Sequence, residues 1–241
     1  MRRVLLVLLI GSVLAGCKSD TFVGRSYSNF TAYYNTFYNA QKGYNEAVKP
    51  LEQQTGAVDV TRYLDLFPSP SAQANATAFN DVIKRSADVL RENPSSKWVD
   101  DALLLIGKSY FYQRNFVGAE QKFREVMLLD GSLRDEAEFW LARTLLAQEN
   151  YDAAAAAAQE ALGREGLSRH WAPRLRLALA EVAVSRGDWE EAETLLDEAL
   201  PTVRDGDLAA RGYFLLGQVR ETLGKHDLAA TAYREAERRN P

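Results

Sequence analysis

One cysteine and two histidines are the only thiol and imidazole side chains in 241 residues, so the chemistry open to this chain is narrow. Cys17 has no second thiol with which to form an intramolecular disulfide. A zinc site would have to be built mostly from carboxylates, because Cys17, His170 and His226 lack ligand spacing. His170 opens the run His-Trp-Ala-Pro173, which reads as a helix start with Pro173 in the first turn, where its missing N–H is harmless. His226 falls in a turn. No nucleophile is spaced to meet a base, no acid pair stands out, and the glycines lack the strand-to-helix context of a phosphate loop. The sequence therefore predicts no catalytic residue, no metal, no cofactor and no small-molecule substrate. Cys17 keeps a specific chemical use, which depends on what precedes it.

Before it come Arg2 and Arg3, an apolar run over residues 4–14, and the small residues Ala15 and Gly16, which is the charged, apolar, small-residue order of a secretory leader. The run is about half the ~20 apolar residues that a membrane span requires. Leu14-Ala15-Gly16-Cys17 resembles the lipobox of bacterial lipoproteins. That resemblance implies diacylglyceryl transfer to the Cys17 sulfur, removal of residues 1–16, and acylation of the new amino terminus. Several acyl chains, each buried methylene contributing about 0.8 kcal/mol, hold a protein firmly on a bilayer. By analogy with Gram-negative sorting, Lys18 after the cysteine points to the outer membrane, with the body expected to face the periplasm.

The remaining chain must supply whatever that anchor carries. A formal net charge of -4 offers no basic excess for phosphates, so nucleic acid is not an expected partner. Small residues recur at Gly107, Ala142, Ala180 and Gly217, at spacings of 35, 38 and 37, and twelve positions after each lie Ala119, Ala154, Ala192 and Ala229. Tyr110, Phe116, Tyr151, Trp189, Phe123 and Tyr233 fall in the same frame. Turn residues separate each periodic segment from its successor at Gln113-Arg114-Asn115, Glu149-Asn150, Arg186-Gly187-Asp188 and Gly224-Lys225. The pattern resembles the tetratricopeptide repeat, in which two antiparallel helices meet where small residues let the backbones approach. One such hairpin cannot bury its apolar stripe, so the expected fold is all-α: a tetratricopeptide-repeat α-α superhelix, or solenoid. The six alanines at residues 153–158 are explained by helix propensity and close helix contact.

The predicted organisation is a signal peptide at 1–16, a lipidated tether at 17–26, an N-terminal helical hairpin at 27–53, an irregular linker at 54–76 and the repeat domain at 77–241. The repeat domain divides into a degenerate half unit at 77–94 and four units near 98–131, 132–167, 171–204 and 207–241. Gly56, Pro68, Pro70 and several serines make the linker the best hinge, with a short helical turn expected over residues 63–67. Phe30, Tyr33, Tyr34, Phe37 and Tyr38 stand at spacings of three and four. They serve equally as a buried helix face or as a second contact surface near the membrane.

The run Pro94-Ser-Ser-Lys-Trp-Val-Asp-Asp-Ala-Leu-Leu-Leu-Ile-Gly-Lys-Ser-Tyr-Phe-Tyr112, with Ser28-Asn-Phe-Thr-Ala-Tyr-Tyr-Asn-Thr-Phe-Tyr-Asn-Ala40 upstream, resembles the start of the large tetratricopeptide lipoproteins of Bacteroidota. These are of the SprE/PorW type associated with gliding motility and type IX secretion. The resemblance spans roughly residues 17–130, and those proteins are several times longer. Pro94, Ser95, Asp101, Ala102, Gly107 and Tyr110 also fit the tetratricopeptide lipoprotein of the outer-membrane β-barrel assembly machine. The repeat family further implies a groove lined by the first helix of each unit. In this frame it is formed by Asp101, Leu104, Lys108, Phe111, Tyr112, Glu136, Phe139, Arg143, Leu146, Arg174, Leu177, Glu181, Arg211, Phe214, Gln218 and Glu221. Mixed apolar and charged residues suit an amphipathic helix or an extended peptide. The expected protein is thus a non-enzymatic, membrane-anchored scaffold whose partners are proteins of an outer-membrane machine, first of all type IX secretion and gliding motility. The alternatives are a β-barrel assembly subunit or a cell-wall-associated or enzyme-accessory protein.

Overall fold

A computed structural model describes residues 36–52, 62–67, 70, 76–129 and 131–239. The leader, Cys17, the tether, Phe30, Tyr33 and Tyr34 lie outside the described residues. Within them, ten α-helices follow one another: α1 (Tyr38–Glu52), α2 (Ala76–Glu92), α3 (Val99–Tyr112), α4 (Phe116–Leu128), α5 (Arg134–Ala147), α6 (Tyr151–Gly163), α7 (Trp171–Arg186), α8 (Trp189–Ala199), α9 (Gly206–Thr222) and α10 (His226–Arg239). A 3-10 turn, Leu200–Thr202, follows α8. Each helix packs on its successor, and α1, α3, α5 and α7 also touch in sequence, so the chain is an all-α solenoid of the expected tetratricopeptide kind.

The first and second helices of the units differ in how they are buried. In α3, residues 102–107 are buried without a break, and in α5 the same holds for residues 137–145, as befits helices enclosed by neighbours on most sides. The second helices bury only a stripe: Ala119, Phe123 and Val126 in α4; Ala154, Ala158 and Ala161 in α6; Ala192, Leu196 and Ala199 in α8; Ala229, Ala232 and Ala236 in α10. These spacings of three and four put one face inward and leave the polar face in water.

The recurring small residues lie where the paired helices meet. A Cβ on Gly107 would stand 2.7 Å from the Phe123 ring, and one on Gly217 would stand 2.3 Å from the Tyr233 ring, both too close. In the two middle units the same position is Ala142 or Ala180, and the residue sixteen further on is Ala158 or Leu196 rather than an aromatic. Glycine is thus required only where the second helix presents a ring.

Each turn between paired helices has one residue in the left-handed region: Arg114 (φ 62°), Glu149 (φ 59°), Gly187 (φ 80°) and Gly224 (φ 70°). After each, an N–H closes the helix end: Asn115 to the Tyr110 carbonyl (2.9 Å), Asn150 to Leu145 (3.0 Å), Asp188 to Ala183 (2.9 Å) and Lys225 to Arg220 (2.8 Å). Asn115 and Asn150 then cap α4 and α6, their side-chain oxygens accepting from the Gly118 and Ala153 amides. Pro173 sits in the first turn of α7, as the run around His170 predicts.

Of the helical hairpin expected at 27–53, residues 36–52 are described, and there α1 runs to Glu52 and packs against α2. Phe37 is buried and stacks on Trp98, with ring centroids 5.2 Å apart, whereas Tyr38 is exposed. Tyr44 joins Phe79 and Tyr112 in the core at this end of the stack.

Candidate peptide-binding groove

The connection from α1 to α2 does not simply bridge neighbours. Residues 62–67 run without helical hydrogen bonding across α5, α7 and α9, the last two more than a hundred residues away in sequence, so the expected helical turn is not formed. These six residues form a strap laid over the first-helix face in reverse order, with Phe67 on α5 and Arg62 on α9.

Its main chain is gripped by side chains. The Gln218 amide acts on both sides of Tyr63: Oε1 accepts the Leu64 N–H at 2.9 Å, and Nε2 donates to the Arg62 carbonyl at 2.7 Å. The Glu181 carboxylate accepts the Leu66 N–H at 2.6 Å and is also bonded by the Phe67 N–H. A segment that is neither helix nor strand has no main-chain partners of its own for these groups, so side chains supply them.

The side chains of the strap have their own seats. Tyr63 stacks on Trp189 at 4.8 Å, and its hydroxyl lies 2.7 Å from Thr222 Oγ1. Leu66 is buried. Phe67 meets Phe139 edge to face at 5.0 Å, beneath the Arg143 guanidinium 5.1 Å from its ring centre. Arg143 also lies over Phe111 and Trp140, at 4.9 Å and 4.7 Å, so its cation rests in an aromatic basket. Between the strap and the ends of α3, α5 and α7 a cleft of about 490 Å³ remains, bordered by Phe111, Arg114, Leu146 and Glu149.

Burial raises the Glu181 acid to about 7, with Asp65 adding to the rise, while Arg143 and the Leu66 and Phe67 amides act in the opposite direction. Desolvation prevails because the strap encloses the carboxyl.

Gln218, Glu181, Arg143 and Lys108 occupy one equivalent position, immediately after the recurring small residue. Three of the four meet the strap. Lys108 instead pairs with Glu136 and lies over the Tyr44 and Trp140 rings at 5.9 Å and 5.5 Å. Among the other groove candidates, Phe139 touches the strap and Phe111 and Leu146 line the cleft beside it. Phe214 packs on Tyr233 at 5.2 Å, and Glu221 accepts the Tyr233 hydroxyl at 2.7 Å. Tyr112 and Leu177 belong to the core instead. Tyr112 stacks on Phe79 of α2 at 5.5 Å, and Leu177 is fully enclosed, because the repeat frame marks a helix face without showing which neighbours cover it.

Trp189, Thr222 and the strap itself were not among the sequence candidates. The signal available for the strap is the apolar run Tyr-Leu-x-Leu-Phe67 within an otherwise polar, proline-flanked connection, whose length alone hints at a role. Among the described residues, no cluster of three His, Cys, Asp or Glu is arranged to hold a metal, and no helix is long and apolar enough to cross a membrane.

Two family models, both described as tetratricopeptide repeat, match residues 104–166 and 171–240. Those residues are tetratricopeptide repeats, a fold that typically serves as a non-catalytic platform for protein–protein interaction. No curated protein sequence matches the chain significantly. The fold is similar to that of a crystal structure of MamA, with a TM-score of 0.54 and 21% identity over 68% of this chain and 89% of that one. A second MamA crystal structure gives 0.53 and 18%, over 84% and 92%. BtubC (BKLC) from P. vanneervenii gives 0.60 and 14%, over 87% and 91%.

Proposed function

We propose that this protein is a lipid-anchored adaptor of an outer-membrane machine, whose first-helix face receives an extended segment of a partner protein. The observation that carries the reading is the grip of Gln218 and Glu181 on main-chain N–H and C=O groups of a non-helical segment, with Trp189, Phe139 and Arg143 seating its rings. That is recognition of a peptide by its backbone plus a few side-chain pockets. The leader and the lipobox at Cys17 support the anchor, and Lys18 supports the outer membrane with the repeats in the periplasm. The resemblance over residues 17–130 favours type IX secretion and gliding motility over β-barrel assembly. No reacting group is needed for this role.

Capture of crosslinked partners from intact cells by wild type and by a folded Glu181→Ala/Gln218→Ala double variant tests the surface; equal capture by both counts against it. Cys17→Ser should abolish palmitate incorporation and release the chain from the membrane fraction. Depletion should remove a restricted set of secreted cargo, whereas loss of many outer-membrane barrels would transfer the protein to the assembly machine.

A further inference from the structure

The strap raises the question of what the groove accepts and when it is free. It is packed unevenly: Leu66 and Phe67 are buried, but the stretch before them is open to solvent. Tyr63 is 36% exposed, Arg62 and Asp65 are exposed, and an open cleft runs alongside. Its holds are those of a ligand: two polar side chains on main-chain groups, one stacked ring, one ring under a guanidinium.

The groove groups also need an occupant. Gln218 is 8% exposed and Arg143 6% exposed, so stripping the strap away would leave partly buried polar groups and bare rings facing an empty channel. Any segment that replaces the strap must therefore offer the same main-chain donors and acceptors in the same non-helical conformation. It must also place a tyrosine on Trp189, where its hydroxyl reaches Thr222. Three residues later it must bring an apolar side chain followed by a ring for Arg143.

We propose that residues 62–67 are a built-in, displaceable occupant of the groove, and that the partner it holds off is an extended peptide of the pattern Tyr-x-x-Leu-Phe. This rests on the groove reading above and adds the ligand's chemistry and a competition to it. The partner gains access only when the strap lifts, so its apparent affinity is reduced by the fraction of molecules with the groove open.

A fluorescent peptide copying residues 60–69 provides the probe, titrated by anisotropy into the full chain in detergent. Wild type should bind it weakly. Tyr63→Ala, a change at a half-exposed side chain, should lower the dissociation constant at least tenfold, as should Phe67→Ala. Gln218→Ala added to Tyr63→Ala should abolish binding. Equal affinity of wild type and both strap variants overturns the proposal, and so does a peptide-sensitive dimer, which would mean that the strap fills the groove of a second copy. Hydrogen exchange of the wild-type Leu64 and Leu66 amides gives a measure free of substitutions. Exchange well before the buried α7 amides supports lifting, and exchange only together with them overturns it. Partner capture by the Glu181→Ala/Gln218→Ala variant reports separately on the groove. If capture is lost while the peptide fails, the adaptor reading stands without the competition.

Discussion

The Leu66 N–H donates to Glu181 Oε1 at 2.6 Å, joining the connection between α1 and α2 to the first helix of the third full repeat. Burial there raises the acid from its ordinary 4.5 to about 7. A carboxyl of raised pKa holds its proton more tightly in the folded state. Its contribution is therefore complete below about 4.5 and is lost as the pH climbs through 7. Glu181→Gln does not titrate, so its melting temperature should gain on that of wild type between pH 5 and pH 8. Asp101, raised to about 6 by burial and by Asp100, titrates alike in both proteins and cancels in the difference. A difference that stays constant with pH would refute the assignment.

Gln218→Ala removes both main-chain bonds to the strap at once. The Leu64 N–H and the Arg62 carbonyl lose their Gln218 partners, at a cost of about 1–3 kcal/mol. Denaturant midpoints should fall accordingly, and the Leu64 amide should exchange faster in the variant. An unchanged exchange rate would show that the strap is held by its rings alone.

The four left-handed turn residues allow a paired test. Gly224 has open space around an added Cβ, so Gly224→Ala isolates backbone strain and should cost about 1 kcal/mol. Arg114→Gly and Glu149→Gly relieve the same strain, offset by the greater freedom of the unfolded chain, and should each stabilise by up to about 1 kcal/mol. Thermal unfolding of the three single variants checks the opposite signs.

At the helix contact of the first full repeat, Gly107→Ala drives a methyl into the buried Phe123 ring and should destabilise by roughly 1–3 kcal/mol. Adding Phe123→Leu creates the pairing that the third unit already uses at Ala180 and Leu196, and should recover most of the loss. A double variant no more stable than Gly107→Ala alone would break the link between the two positions.

The stack was legible because its cause is local and periodic. Small residues at Gly107, Ala142, Ala180 and Gly217 must recur wherever paired helices touch, and turn residues must follow them. The strap was not legible, because nothing in residues 62–67 is periodic and their partners lie as much as 159 positions away. Its apolar residues resemble a helical turn until Gln218 and Glu181 take up the amides that such a turn would use. Tyr112 and Leu177 illustrate the complementary limit: a repeat position fixes the helix and its phase, but cover from α2 or from neighbouring helices is a property of the assembled chain. The equivalence of Lys108, Arg143, Glu181 and Gln218 was present in the frame, yet its meaning emerged only when three of them met the strap.

A stack in which each unit touches only its neighbours frays from either end, and its stability is close to a sum along a line. Here a chord drawn from between α1 and α2 is fastened at α5, α7, α8 and α9, so the last three repeats are tied directly to the connection at the amino-terminal end. Such a tie turns the line into a closed circuit, like a bow held by its string, and unfolding should proceed with sharper cooperativity than the helical array alone would give. Loosening the string would slacken the bow as well, letting occupancy of the channel alter the spacing of the outermost repeats.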